Sequence, residues 1–222
     1  MLKVIIFNVY IFSLLPTYDK ISTGDKMKIL LATNNEHKVK EFNEIFEENK
    51  VNIELLSLKE FEKVEEPVED GNSFYENALI KAKYYYDLFK IPVLADDSGL
   101  VVDALNGEPG IHSARFASTN THNASSKDNR IKLLKLMEDE TNRKAHFVCS
   151  LIFYDGEKII NTNGEFHGEV ALRESGENGF GYDSIFYLPE YGKIVSSLDE
   201  KTKNKLSHRY KAVKAMIEKL NF

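Results

Sequence analysis

The 222-residue sequence is short of several things, and each shortage closes off a class of protein. It has one cysteine, Cys149, and no tryptophan. A single thiol excludes an intramolecular disulfide and any cysteine-rich zinc site. Cys149 lies inside the apolar run HFVCSLIFY, 146–154, which reads as a buried, inert thiol and not a nucleophile. Basic charge is also lacking: 29 Lys and Arg stand against 35 Asp and Glu, for a net charge of −6. A nucleic-acid binder normally carries a basic stripe, so polymeric DNA or RNA is not an expected partner. A small anion held in a local basic pocket stays compatible with that balance. None of the six histidines falls into HExxH spacing, so a zinc-hydrolase motif is missing, as is a Gly-x-Ser-x-Gly elbow.

Long apolar runs are nearly absent. Val4 to Leu15 is almost wholly apolar, with Lys3 before it, and resembles the middle of a signal peptide. It is too short for a bilayer span, no small-x-small cleavage site follows, and PTYDKISTGDK (16–26) looks like a polar linker. The expectation is an upstream extension over residues 1–26 and a cytoplasmic protein, without a membrane partner, whose fold starts at Met27. Length suits one large domain or two lobes with a real core.

What is present is a run of mixed strands and helices. MKILLAT begins a strand at Met27, and Val39, Phe42, Ile45 and Phe46 give a helix over Glu36–Glu48 its apolar face. A strand is predicted over Val51–Leu58, then an acidic loop, EFEKVEEPVEDGN. Ser73 caps a helix over Phe74–Phe89. Pro92–Ala95 and Leu100–Val102 read as two short strands joined by Asp96-Asp97-Ser98-Gly99. Lys127–Glu140 is amphipathic, and Ala145–Tyr154 and Lys158–Leu172 form a hairpin about Asp155-Gly156. SIFYLP is a further strand and Ser207–Leu220 a closing helix. These elements predict an α/β fold of two lobes around a mixed, twisted sheet, with flanking helices and a central cleft.

Several residues stand against local rules. Asp96 and Asp97 put two carboxylates at the end of a buried strand, where charge must be paired or metal-bound. A solvated turn is the alternative, because Asp, Ser and Gly make turns anyway. Two helices open on basic residues, although a helix N-terminus disfavours them. The first has Glu36, His37, Lys38 and Lys40; the last has Ser207, His208, Arg209 and Lys211, with Lys201, Lys203 and Lys205 just before. Basic groups gathered around free backbone amides suit an anion. Thr33-Asn34-Asn35 leads from strand to helix without a P-loop signature, and both Asn residues tolerate left-handed backbone angles. The loop ESGENGFGYD holds three glycines and ends Phe180-Gly181-Tyr182-Asp183, an aromatic able to stack on a nucleobase beside backbone that can approach a ligand closely. Together these parts suit a nucleoside triphosphate with its metal.

At this point five segments acquire a common meaning. ATNNEHK (32–38), EDGNSFYENALIKA (69–82), LADDSGLVVDALNGEPGIHSAR (94–115), GFGYD (179–183) and KNKLSHR (203–209) occur in this order over nearly 200 residues. From Met27 to the C-terminus the chain resembles the inosine triphosphate pyrophosphatases, the Ham1-like house-cleaning enzymes for aberrant purine nucleotides. One departure is Asn34, where many relatives have glycine. The resemblance implies an elongated two-lobed α/β fold, a homodimer, and Mg²⁺-dependent hydrolysis of ITP, dITP and XTP to monophosphate and pyrophosphate. By position it implies that Thr33, Asn34, Asn35, Glu36, His37 and Lys38 cradle the phosphates. Asp97 would accept the proton and bind metal, with Asp96 sharing the catalytic work, and Ser98 would touch substrate. Phe180, Gly181, Tyr182, Asp183, Lys203, His208 and Arg209 would bind the nucleotide, and Lys81 would reach it from its helix. Glu69 is the expected second carboxylate at the metal, with Glu76 its competitor.

Overall fold

A computed structural model describes residues 26–119, 124–176 and 178–221. The expected extension lies outside them except at Lys26. Seven strands form one mixed sheet: β1 (Met27–Leu31), β2 (Ile53–Ser57), β3 (Val93–Val102), β4 (Lys144–Tyr154), β5 (Ile159–Val170), β6 (Phe186–Leu188) and β7 (Lys193–Ile194). Their order is β2-β1-β3-β4-β5-β6-β7. β1 runs parallel to β2 and β3, and every later pairing is antiparallel. The helices are α1 (Glu36–Glu48), α2 (Phe74–Phe89), α3 (Ser126–Leu136), α4 (Glu200–Leu206) and α5 (His208–Leu220).

Strand alternation decides which helix covers which residues. Ile29, Leu31, Leu94, Cys149 and Leu151 point to one face and bury Phe42 and Ile45 of α1 with Ala212, Val213 and Met216 of α5. Leu30, Val93, Ala95 and Ile152 point to the other and meet Ala78, Ala82 and Tyr85 of α2. Farther along the same strands, Leu100, Val102, Phe147, Phe166 and Phe186 build a separate core with Leu133 and Met137 of α3 and its flank. Two lobes therefore share the long central strands, and the α/β expectation agrees with what is observed. Cys149 is fully buried, and burial pushes its thiol up to about 12, as an inert thiol requires.

The main correction concerns the segment between the two short strands predicted at Pro92–Ala95 and Leu100–Val102. β3 is one unbroken strand of ten residues, paired with β4 at every position from Val93↔Tyr154 to Val102↔Ala145. Asp96 to Gly99 make no turn. Their turn propensity is overridden because a full antiparallel ladder satisfies the backbone and side-chain partners satisfy the charge. Smaller differences follow the same logic of local competition. α3 stops at Leu136 instead of reaching Glu140, and KTKNKL forms its own helix, α4, capped by Asp199, whose side chain accepts the Thr202 amide. The strand predicted at SIFYLP shortens to Phe186–Leu188, its first two residues lying in a 3-10 turn over Asp183–Ile185.

β1 leaves β3 early. The two pair only at Leu30↔Val93 and Leu31↔Leu94, with Ala32 N donating to Leu94 O at 2.8 Å. From Ala95 to Gly99 β3 keeps its β4 neighbour and loses the one on the other side, before Leu100 N meets Ser113 Oγ and Val101 bridges Pro109. That free edge opens the cleft.

α5 lies close on β5 because Gly164 has no side chain. A Cβ there would stand 2.0 Å from His208 O and 2.7 Å from Ala212 N, both backbone atoms that cannot rotate aside. Gly164→Ala is expected to cost about 3 kcal/mol in urea denaturation; an unchanged midpoint would show that α5 shifts without cost.

Candidate active site

The two carboxylates of β3 point to opposite faces, as neighbours on a strand must. Asp96 is almost fully buried on the α1–α5 side. It takes Lys38 Nζ at 2.8 Å, the Ser98 hydroxyl at 3.0 Å and, more distantly, Arg209 at 3.8 Å. Burial alone would raise its carboxyl, but Lys38 and Arg209 overcome that and hold it well below the usual carboxylate range. Asp97 turns toward α2. It accepts Asn77 Nδ2 at 3.1 Å and lies 3.9 Å from Lys81 Nζ. Burial raises its carboxyl, and Lys81, Asn77 and Lys38 offset only part of the rise. Asp97 lines the cleft and Asp96 does not. The adjacent pair is thus no two-carboxylate metal cradle: Asp96 is a buried counter-ion, and Asp97 faces the cavity.

Glu69 completes the Asp97 side, with Lys81 Nζ 3.3 Å away. Its competitor Glu76 is engaged elsewhere, accepting the Asn72 amide at 2.6 Å in the first turn of α2, exposed and outside the cleft lining. Asn77, which also accepts the Gly71 amide at 2.9 Å, ties the acidic loop to Asp97.

At the start of α1, Thr33, Asn34, Asn35 and Lys38 line the cleft, while Glu36 points outward to Lys59. Asn35 is the N-cap, and its side chain accepts the amides of His37 and Lys38 at 3.0 and 3.3 Å. An anion would therefore compete with this cap. Asn35 has φ −77°, and Asn34 is not among the residues with positive φ, so the left-handed tolerance invoked for them is not used. Asn34 instead bonds Glu66 across the cleft mouth at 2.6 Å. His37 stacks on Phe180, with ring centroids 4.9 Å apart and planes 7° from parallel.

The remaining wall comes from 180–183, α4 and α5. Lys203 belongs to α4, beside the start of α5; its Nζ meets Asp183 at 2.7 Å and Glu41 at 3.5 Å and stands 4.7 Å from the centre of the Phe180 ring. Asp183 also accepts the Phe180 amide at 2.9 Å, and burial raises its carboxyl against the pull of Lys203. Tyr182 donates its hydroxyl to Ser113 O at 2.8 Å. Arg209 is 2% exposed and paired with Glu41, reaching Ser98 Oγ at 3.2 Å. His208 stacks on Phe147, and burial, helped by Arg209, lowers its pKa well below the ordinary value, so it is neutral at pH 7. Its Nδ1 is buried with no partner among the described residues.

Glu41 and Asn77 were not singled out from the sequence. Glu41 sits on the apolar stripe of α1 beside Phe42 and Ile45, and Asn77 beside Ala78 on α2. A polar residue on an otherwise buried helix face was the available signal.

The cavity, about 450 Å³, has a balanced lining: Lys38, Lys81, Arg115, Lys203 and Arg209 against Glu41, Glu66, Glu69, Asp97 and Asp183. Protein cations alone leave a polyphosphate under-neutralised. Glu69 and Asp97 offer hard oxygen donors toward one point, where the Lys81 ammonium already rests, and no cluster of three metal-capable side chains occurs among the described residues. That donor set fits Mg²⁺, which takes one or two carboxylates and completes its shell with phosphates and water.

Fold and site together define an α/β protein with a cleft lined by matched charges and by the Phe180 ring. Residues 29–219 match the Ham1 family. The chain is 45% identical over 192 residues to the dITP/XTP pyrophosphatase of Dictyoglomus thermophilum, covering 85% of this chain and 91% of that one. It is 42% identical over 204 residues to the dITP/XTP pyrophosphatase of Aquifex aeolicus, covering 87% and 96%. The Coxiella burnetii HAM1 protein structure superposes with TM-score 0.79 at 35% identity, covering 88% of this chain and 98% of that one. The chain belongs to the Ham1 family.

The two aspartates are expected to affect stability oppositely in the metal-free protein. Asp96→Asn removes a counter-charge from half-buried Lys38 and buried Arg209 and should cost about 3 kcal/mol in urea denaturation at pH 7. Because the folded pKa of Asp96 is depressed, its contribution is present above about pH 4 and lost as pH falls through the folded value. The raised pKa of Asp97 favours the fold at low pH, and that contribution is lost as pH rises through the folded value. Asp97→Asn, which mimics the protonated form, should therefore leave stability at pH 7 unchanged or higher. Equal losses in both variants would contradict this division.

Proposed function

We propose that this protein hydrolyses dITP, ITP and XTP, with Mg²⁺, to the nucleoside monophosphate and pyrophosphate, and so keeps these bases out of DNA and RNA. The observation that carries it is Asp97, a carboxylate of raised pKa in a cleft also lined by Lys38, Lys81, Phe180 and His208. The dITP/XTP pyrophosphatases to which the chain is similar support the same substrate class. A cytoplasmic homodimer is part of the same proposal and follows the family resemblance.

Water attacks phosphorus as pyrophosphate leaves, so that the nucleotidyl group passes to water, and positioning and charge neutralisation matter more than covalent help. Asp97 takes the proton of the attacking water as its oxygen bonds to phosphorus and pyrophosphate departs. Glu69 and Asp97 would hold Mg²⁺, which when bound supplies charge neutralisation on the phosphate oxygens. Lys38, with Asp96 fixing its ammonium group, and the amides near Asn35 take up developing negative charge. Asp96 acts through Lys38 and not on water. Ser98, tied to Asp96 and Arg209, lines the same cleft and faces the substrate. Lys81 reaches the phosphates from α2.

Base choice follows from hydrogen-bond complementarity. Inosine and xanthine present a 6-keto acceptor where adenine presents a 6-amino donor. Neutral His208, Arg209 or nearby backbone supplies the donors, Phe180 stacks on the ring, and adenine would leave those donors unpaired. Gly181, Tyr182 and Asp183 carry the backbone and Lys203 contact that hold Phe180 in place.

Asp97→Asn is expected to lower pyrophosphate release from dITP about a thousandfold, with the circular dichroism spectrum unchanged. Measured across dITP, ITP, XTP, GTP and ATP, the wild type should prefer the first three. Near-normal turnover by the variant would remove Asp97 from the chemistry, and equal rates on all five would remove the proposed selectivity.

A further inference from the structure

We propose that Arg130 on α3 is a positioning residue for the base end of the cleft, clasping the loop that carries Phe180. The inference rests on the proposed function. Arg130 is not among the residues lining the cleft, so any effect it has passes through the loop. Its Nη1 donates to Gly181 O at 2.9 Å, and its Nη2 pairs with the Glu174 carboxylate at 2.7 Å. Glu174 opens the loop, and Gly181 directly follows Phe180. One planar guanidinium therefore ties the beginning of the loop to its far end, which two parallel donors can do and a single ammonium cannot. Glu174 also accepts the Ser184 hydroxyl at 2.8 Å, and Ser175 N donates to Ser184 O at 2.9 Å, so the ends close on each other.

The loop needs such an anchor. Phe180 stands between Gly179 at φ +86° and Gly181 at φ +61°, two residues of wide backbone freedom, and the bond from its amide to Asp183 does not tie the start of the loop to its end. α3, by contrast, is fixed: Leu133 is in the core, and Asn129 donates to Ala114 O at 3.0 Å and accepts the Ala117 amide at 2.8 Å. Arg130 transmits the rigidity of that helix to the loop.

The test is steady-state kinetics on the full chain with dITP, with inorganic tripolyphosphate as competitive inhibitor. Arg130→Ala is expected to raise KM about tenfold with kcat within twofold of wild type. Tripolyphosphate has the phosphates but no base, so its inhibition constant should not change. Arg130→Lys, which keeps one contact, should recover part of the KM. If Arg130→Ala does not fold, Glu174→Gln removes the charge pairing alone and should raise KM about threefold. A KM within twofold of wild type in a folded Arg130→Ala, a loss confined to kcat, or an equal loss of tripolyphosphate binding would each overturn the role, as would an unchanged KM in Glu174→Gln. A wild-type enzyme that releases no pyrophosphate from dITP would overturn the function as well.

Discussion

The buried charge of Asp96 is the constraint on which the site depends. A carboxylate in the middle of a central strand, sealed from water, is tolerated only with cations brought to it. Lys38 comes from the first turn of α1 and Arg209 from the first turn of α5, which explains why both helices begin with bases against the preference of their dipoles. Arg209 in turn holds Glu41, Glu41 holds Lys203, and Lys203 holds Asp183 under the Phe180 loop. A chain of alternating charges thus runs from the sheet to the Phe180 loop, fixing three helix segments and one loop relative to β3.

The second constraint is topological. β1 accompanies β3 for two residue pairs and then departs, so the strand has a neighbour on one side only when it reaches Asp97. Groups from both faces of the sheet can meet around that exposed edge: Lys38 from one side, Lys81 and Asn77 from the other. A fully paired strand would have kept the two faces apart. The same geometry separates two adjacent aspartates into a structural partner and a cleft-facing carboxylate, the first held low by the cations around it and the second raised by burial that its cations only partly offset.

Much of the fold was legible because it rests on period. The helical spacing of Val39, Phe42, Ile45 and Phe46, the Ser73 cap and the Asp155-Gly156 hairpin each encode their element locally. Asp96-Asp97-Ser98-Gly99 misled because turn propensity is a local quantity, whereas the ladder to β4 and the cations from α1 and α5 are distant in sequence. For the same reason the basic helix starts were noticed as anomalies, but half of their meaning, the internal counter-ion, was invisible. α4 was hidden in a lysine-rich stretch with no apolar stripe, and Glu41 looked like one more acid on a charged helix.

The contact between His37 and Phe180 has a kinetic consequence. Their rings lie nearly parallel at a centroid separation of 4.9 Å, which leaves no thickness for a third ring between them. A planar ligand that uses that face of Phe180 has to part the start of α1 from the loop first. Capture would then wait on the frequency of that parting and not on diffusion alone, which places its association rate below that of a permanently open cleft.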